Sequence, residues 1–574
     1  MDVALLDSKG LARAVSDLRK SSPESPWTAL VEAQINIKAR HYEKAKNNLE
    51  TVLNRPGIEA DLLFSSLKVI SLVKHEMGLK VILNGVRKNL WKIIISNIGL
   101  NWHMHVLTHI GFSEDSETPN LKPLATYLIS YFANQAYDHD LFDLAFFFEA
   151  EIYTNYVTRF ETNESFGYGM NLTTEAAVSA GHRHGERLGS INLAFQNVKP
   201  VVGFFFHQAS MLAHINCIHQ YLSSAHAKGF KDFRPVLFCL GGGDSEFERR
   251  FKDIEVDVVY LDVDRDDKHI PLITQRLYYM RELCQELQVD KLIWGCLTLN
   301  MAFAFSMRFA HEQIWWSQKW QNFNVGVVDK YIWSFGMCDE QIIYGHKWLT
   351  SWFQSDAWNE TADFSDVNNV RKQFSGKLIL GTLSRAQKMS NPKFMKTICK
   401  ILRQHENVIF IWTGRKQDAV VTEIFKAEGV LEKTQFVGWV NTETYANVLD
   451  IMLDPFPVGN GITAIQTMAA GKPVILTKNR GLDQLLGSFL SETQMQNNFT
   501  KQAQENFQAK SEKQLGYYTR AANAGEYISM ANKVILDADY RSKVGEAFKR
   551  CVKDLLSSPD VAESQFTKHI MSKK

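Results

Sequence analysis

The sequence predicts an α/β protein in which an all-helical N-terminal domain precedes two Rossmann-like lobes. Three observations carry this expectation. Residues 1 to about 195 hold apolar positions at helical spacing. Near Lys199 the composition changes, and short buried-strand patterns begin to alternate with helices. At Lys377 a second alternation of the same kind begins and runs to Leu476.

Length and composition set the frame. A chain of 574 residues is too long for one core and suggests three or four domains of ~150 residues. The boundaries fall at 1–195, 196–365 and 366–574. Hydrophobic residues at 45% and charged residues at 22% are those of an ordinary globular protein. A formal net charge of +1, without Lys/Arg runs, argues against nucleic acid as a partner. The cysteines at 217, 239, 284, 296, 338, 399 and 551 form no CxxC pair, which favours free thiols over disulfides or a zinc site. The first twenty residues carry acids early and hold no long apolar run, so no signal peptide is expected. No stretch reaches ~18 uninterrupted apolar residues, so no membrane span is expected and the location read from this is cytoplasmic.

In the first domain, residues 27–56 place Leu30, Ala33 and Ile35, then Ala45, Leu49 and Leu53, on either side of a polar break at Ala39-Arg40-His41. This predicts a helical hairpin similar to one tetratricopeptide unit, although no fixed period recurs. Further helices are expected over 61–77, 80–98, 121–136 and 141–160.

In the first lobe, strands are predicted at 200–206, 235–240, 256–261 and 291–294, with helices over 210–225 and 270–287. Gly241-Gly242-Gly243 could be a phosphate loop or a plain strand exit. The lack of a following GxGxxG fingerprint favours the exit. Asp262-Val263-Asp264 could be a metal-binding pair or a strand-end turn. Residues 355–372 are polar and aperiodic, and predict the link between lobes.

The second lobe is expected to run strand 377–384, helix from Pro392, strand 408–413, helix 420–428 and strand 435–440. Asn391 suits an N-cap and Pro392 the first helical position, with Phe394, Ile398, Ile401 and Leu402 on one apolar face. After Leu476 the chain reads as helical, and residues 494–514 as an exposed helix or mobile excursion.

The most informative stretch is 454–475, DPFPVGNGITAIQTMAAGKPVI. A strand at 450–453 enters prolines that forbid helix and continued pairing, then a loop with Gly459 and Gly461. A helix begins at Thr463 and ends at Gly471-Lys472-Pro473. Strand, glycine loop and helix N-terminus together suit an anionic group, because backbone N–H groups and the helix dipole converge there. An ordinary βαβ turn is the other reading.

The words PFPVGN at 455–460 with a polar residue at Gln466, GTLSRAQKMSNPKF at 381–394, RFAHEQ at 308–313 and Val328-Asp329-Lys330-Tyr331 carry a resemblance. They resemble glycosyltransferases of the GT-B fold, in which two Rossmann-like lobes face each other. Within that fold they look like the cytoplasmic bacterial protein N-glucosyltransferases that modify adhesins, relatives of the protein O-GlcNAc transferases. The resemblance implies a nucleotide-sugar donor, a UDP-sugar, bound by the C-terminal lobe, with no metal and no other cofactor. It also implies an acceptor on the N-terminal lobe side. The helical domain is then either simply packed against the catalytic unit or a groove for a polypeptide acceptor.

Sugar transfer from a nucleoside diphosphate requires a stabilised leaving group, a held nucleoside and an acceptor in line, often with a base. Lys388, between a strand end and a helix start, is the candidate for the diphosphate's charge, with Arg385 assisting. Gly459, Asn460 and Gly461 would approach the phosphates, and Thr463 could donate its hydroxyl. Thr463-x-x-Gln466 also reads as a capping box that needs no ligand, while Gln466 stands where the resembled branch holds ribose with an acid. Val437 and Gly438 could pair with a uracil edge, and Thr413-Gly414 is a weaker donor contact. His207 and His214 follow the first strand of the N-terminal lobe, where O-GlcNAc transferases carry a loop histidine; each could equally be a core or capping residue. Gln318-Lys319 stands where the N-glucosyltransferases have Gly-His, so the donor sugar does not carry over from the resemblance.

Three functions fit these residues. The first is an inverting, metal-independent transfer of a hexose or N-acetylhexosamine from a UDP-sugar to a protein side chain. The second is a GT-B transferase of polysaccharide or lipid glycan synthesis, against which stands Gln466 in place of that family's acid. The third is a non-catalytic, glycosyltransferase-like binding subunit.

Overall fold

The structure, a computed structural model, describes residues 8–55, 76–96, 121–153, 163–189, 198–261, 272–295, 298–318, 324–334, 340–343, 345–351, 364–384, 386–389, 391–414, 416–456, 459–478, 519–553 and 559–572, with short pieces between 62 and 73. The chain divides into two compact units, one of residues 1–160 with 164–184 and one of residues 161–163 with 185–574.

The first unit is helical: α1 (Ser8–Ser21), α2 (Pro26–Lys38), α3 (Tyr42–Leu53), α4 (Glu76–Ser96), α5 (Leu121–Asp138), α6 (Phe142–Glu151) and most of α7 (Asn163–Arg187). The α2–α3 hairpin is the expected one. Ser25 caps α2 by accepting from the Trp27 N–H, Pro26 takes the first turn, and Leu30, Ala33, Ala45 and Leu49 are fully buried between the helices. Its turn is made by Arg40 at φ 61°, with His41 N–H donating to Asn36 O. Asp140, at φ 57°, makes the same turn between α5 and α6, with Leu141 N–H donating to Ala136 O. The two hairpins therefore share a backbone device that their side chains do not advertise.

The second unit holds two sheets. The first has the order β3-β2-β1-β4-β5-β6-β8-β7 and is parallel except for the edge pair β7–β8. Its strands are β1 (Val201–Phe206), β2 (Arg234–Cys239), β3 (Asp257–Tyr260), β4 (Val289–Trp294), β5 (Glu312–Ser317), β6 (Lys330–Trp333), β7 (Glu340–Ile343) and β8 (His346–Thr350). Helices α8 (Ala213–Ala227), α9 (Ser245–Asp253), α10 (Ile273–Glu286) and α11 (Met301–Ser306) connect them. The Gly241–Gly243 run is a strand exit into α9, whose N-cap is Asp244, accepting from Phe247 N–H at 2.6 Å. The pair Asp262 and Asp264 lies outside the described residues.

Strands β5 and β6 were not anticipated, because each begins with a charge. Glu312 and Lys330 are 7% and 8% exposed, and they pair with each other at 2.7 Å while Lys291 of β4 also meets Glu312. A charge that reads as a surface signal is here buried and ion-paired.

The second sheet is wholly parallel, in the order β11-β10-β9-β12-β13-β14. Its strands are β9 (Leu378–Thr382), β10 (Val408–Trp412), β11 (Thr434–Phe436), β12 (Ile451–Leu453), β13 (Val474–Thr477) and β14 (Arg520–Ala521). The helices here are α12 (Phe364–Lys372), α13 (Ala386–Met389), α14 (Pro392–Gln404), α15 (Ala419–Ala427), α16 (Thr442–Val448), α17 (Ile462–Ala469), α18 (Ala524–Leu536), α19 (Ala538–Cys551) and α20 (Pro559–Met571). Helix α14 is capped as expected, Asn391 accepting from Lys393 and Phe394 N–H, with Phe394, Ile398, Ile401 and Leu402 fully buried.

Two boundaries are corrected. Within the expected link 355–372, residues 364–372 form α12, which Arg371 ties to the second sheet by donating to Val448 O and pairing with Asp450 at 2.8 Å. Residues 352–363 lie outside the described residues, as do 494–514. The last helix, α20, was assigned to the C-terminal lobe by sequence order but packs in the core of the first sheet. Phe566 is fully buried against Phe204 and Trp316, and Lys330 Nζ donates to His569 O and Ser572 O at 3.0 and 2.9 Å. A cation at the end of α20 satisfies its last carbonyls and its dipole together.

Among the described residues no helix is long and apolar enough to cross a membrane, and Cys217, Cys239, Cys284 and Cys399 are buried free thiols.

Candidate functional site

Counted along the chain, the second sheet runs third-second-first-fourth-fifth-sixth strand, so its order reverses between β9 and β12. In such open sheets ligands bind at that reversal, beyond the C-terminal ends of the strands. The loops leaving β9 and β12 there carry Lys388 and the glycines 459 and 461.

Hydrogen bonds lace these loops together. Gly414 N–H, past β10, donates to Gly438 O, past β11, at 3.1 Å. Thr413 Oγ1 accepts Ser384 N–H at 2.9 Å and donates to Ser384 O at 3.1 Å, joining the exits of β10 and β9. Thr382 Oγ1 donates to Leu453 O at 2.6 Å, joining β9 to β12. Thr463 Oγ1, in the first turn of α17, donates to Leu383 O at 3.0 Å. Lys388 Nζ donates to Gly459 O at 2.7 Å. Lys388, Thr413, Gly414, Gly438, Gly459 and Thr463 thus stand on one continuous edge.

Asp454 anchors the glycine loop from beneath. It is 4% exposed, and its Oδ1 accepts Asn460 N–H at 2.7 Å. Its Oδ2 lies so near Gly459 that a Cβ there would stand 2.5 Å away, so only glycine fits. Burial pushes the Asp454 carboxyl up to about 7, against the opposing pull of the Asn460 N–H and the Lys388 charge. This residue escaped the sequence reading; an acid opening a Pro-rich turn looks like turn chemistry.

The capping box is corrected. The N-cap of α17 is Gly461, so Thr463 lies inside the helix, and no side chain caps the end. Thr463 uses its hydroxyl proton on Leu383 O, which makes it a tie between loops and not a free phosphate donor. Gln466 does not fold back to close the box, and its Oε1 is buried without a partner among the described residues. Ser384 Oγ and Asn460 Nδ2 are also buried and unpartnered there, in residues 8% and 3% exposed. Three polar atoms orphaned among the described residues, two on loops and one in α17 around one switch point, are what a polar ligand would satisfy.

At the far side of this edge, Gly438 sits at φ 77°, a glycine conformation, beside Trp439, which is 69% exposed. Val437 N–H donates to Trp412 O and Gly438 O accepts from Gly414, so among the described residues the backbone groups open to a base edge are Val437 C=O and Gly438 N–H. Arg385 and Arg415 lie outside the described residues.

His207 and His214 belong to the first sheet, and no described contact joins them to the cluster around Lys388. That sheet also reverses order, between β1 and β4, and His207 follows β1 at this reversal. Its ring meets Phe205 and Trp294 edge-on, with centroids 5.2 and 5.7 Å away. His214 lies in the first turn of α8. Gln318, past the end of β5, has both amide atoms buried without a partner among the described residues, while Lys319 lies outside them. Among the described residues no group of three His, Cys, Asp or Glu side chains is placed to hold a metal ion.

Residues 377–505 match the family described as glycosyl transferases group 1. No curated protein sequence matches the chain. Among solved structures, an O-GlcNAc transferase mutant of Thermobaculum terrenum is similar over 97% of this chain and 93% of its own, at 13% identity and a TM-score of 0.50. A glycosyltransferase of Rickettsia africae is similar over 66% of this chain and all of its own, at 14% identity and a TM-score of 0.46. HepE of Anabaena, solved with UDP and glucose, is similar over 65% of this chain and all of its own, at 13% identity and a TM-score of 0.46. Residues 377–505, on the second sheet, thus match the group 1 glycosyl transferase family, and the two lobes share the fold of an O-GlcNAc transferase, which is the GT-B architecture.

Proposed function

We propose that the chain moves a hexose or N-acetylhexosamine from a UDP-sugar to a protein side chain, with inversion and without a metal. The observation that carries this reading is Lys388 Nζ closing on Gly459 O across the switch point, two residues before Gly461, the N-cap of α17, where no side chain caps the helix. An ammonium and a helix N-terminus converging on one place suit a diphosphate. Here Lys388 stabilises the charge that develops as the sugar's C1–O bond breaks and its electron pair leaves with UDP. Asn460 Nδ2 and Ser384 Oγ complete the phosphate shell, Gln466 Oε1 accepts from ribose, and Val437 C=O with Gly438 N–H pairs with uracil. His207 takes the proton from the acceptor as its nucleophile attacks C1 from the N-terminal lobe side. The helical unit presents the polypeptide. Gln318 borders the sugar, where its amide, without a partner among the described residues, selects hydroxyls.

Incubating the protein with a panel of UDP-sugars in EDTA, alone and with candidate acceptor polypeptides, tests the reading. The expected result is a hexose mass added to a side chain with inverted anomeric configuration.

A second reading, transfer in polysaccharide or lipid glycan synthesis, is favoured by the group 1 match over residues 377–505. A glycan product with retained configuration would select it.

A further inference from the structure

The groups facing Asp454 come from four elements. From α13, the short helix after β9, Lys388 brings its charge to bear on the carboxylate. From its own loop, Asn460 N–H donates to Oδ1 at 2.7 Å and Gly459 packs on Oδ2. From α18, Tyr527 OH donates to the Asp454 carbonyl at 2.9 Å, and from β13 Ile475 O accepts the Asp454 N–H at 3.2 Å. Lys388 is therefore the cation that offsets a buried carboxylate, and in the unliganded protein it is also bound to the loop that carboxylate holds.

A diphosphate entering over the glycine loop changes both conditions. It brings negative charge beside a carboxylate already removed from water, and it takes Lys388 as its own partner. Like-charge repulsion and the loss of the compensating cation both favour the neutral acid. We propose that Asp454 is a positioning residue of the donor site that takes up one proton from solvent as the donor's diphosphate engages Lys388. The protonated carboxyl keeps an oxygen to accept from Asn460 N–H, so the glycine loop stays seated while Lys388 is released to the phosphates. Burial has already brought Asp454 close to balance at neutral pH, its value being about 7, so little is needed to tip it. The inference rests on the reading of Lys388 as the diphosphate's cation.

Calorimetry with UDP-glucose in EDTA is the test, because its doubly esterified diphosphate carries no proton that titrates near neutrality. Binding is measured in buffers of different ionisation enthalpy at about pH 8, for the wild type and Asp454→Asn. The wild type should show a buffer-dependent heat with the sign of proton uptake. Its affinity should rise as pH falls, by up to about tenfold per pH unit while Asp454 starts ionised. Asp454→Asn should show buffer-independent heat and a flat pH profile. Wild-type binding without net uptake, or uptake retained in Asp454→Asn, would overturn the proposal. The wild-type measurement stands alone if the variant does not fold. If UDP-glucose does not bind at any pH, the donor reading itself falls, and the inference with it.

Discussion

Lys388 Nζ lies 2.7 Å from the carbonyl oxygen of Gly459, so the exits of β9 and β12 are closed against each other where the sheet order reverses. A single lysine thereby holds the glycine loop two residues before Gly461, the N-cap of α17.

Replacing Lys388 by Ala should cost ~2.7–4 kcal/mol of transition-state stabilisation, or roughly 10²–10³ in rate, as for other preorganised charge-stabilising donors. The melting temperature should fall by the worth of one hydrogen bond, ~1 kcal/mol, where Asp454 is protonated, and by more at higher pH, where the Asp454 carboxylate has lost its compensating cation. Transfer rates and thermal melts of the variant check this. Near-normal transfer would remove Lys388 from the chemistry.

Gln466→Ala should weaken UDP binding and leave stability almost unchanged. The register of α17 excludes the capping role, and the side chain's Oε1 has no partner among the described residues to lose. A neutral hydrogen bond is worth ~0.5–1.5 kcal/mol, so the expected loss is a few-fold to about tenfold in affinity. Calorimetry paired with thermal melts decides it. A lowered melting point with unchanged affinity would restore a structural role.

Thr463→Val should behave oppositely. It removes the donor to Leu383 O, leaving that carbonyl without this partner in a part-buried place, at a cost of ~1–3 kcal/mol. Stability should fall, and donor affinity with it, because the tie between the exits of β9 and β12 is lost. Denaturant unfolding measures the first effect and UDP titration the second.

Asp454 also makes stability depend on pH. Its folded value is raised to about 7, above the ordinary carboxylate value of ~3.9, so the folded state holds the proton more tightly. Its contribution is full below the unfolded value and is lost as pH rises through about 7. Relative to Asp454→Asn, the wild type should therefore lose melting temperature as pH rises from about 4 to about 7 and change little above that. Parallel melts over that range test the sign.

The C-terminal lobe was largely legible because its strands are short apolar runs bounded by Gly, Pro and Asn, and because Asn391-Pro392 states where α14 begins. Both lysine loop and glycine loop could be placed on one edge from strand–helix alternation together with the resemblance to the GT-B fold. The first lobe was read only as far as β4, since β5 and β6 open with Glu312 and Lys330, whose mutual pairing hides their charge from solvent. Sequence order placed α20 with the wrong lobe, because nothing local tells that Phe566 fits between Phe204 and Trp316. Asp454 was missed for a similar reason: its burial and its Asn460 bond are tertiary facts. The capping box failed by two residues, the distance between Gly461 and Thr463, because glycine opened the helix first.

The central claim is that the donor's diphosphate rests between Lys388 and the start of α17. A crystal structure of the protein with UDP, grown in EDTA, tests it most directly. The account predicts phosphate oxygens within hydrogen-bond reach of Lys388 Nζ and of the N–H groups at 461–463, with no metal between. UDP bound elsewhere on the chain, or held at this edge only through a divalent cation, would contradict it.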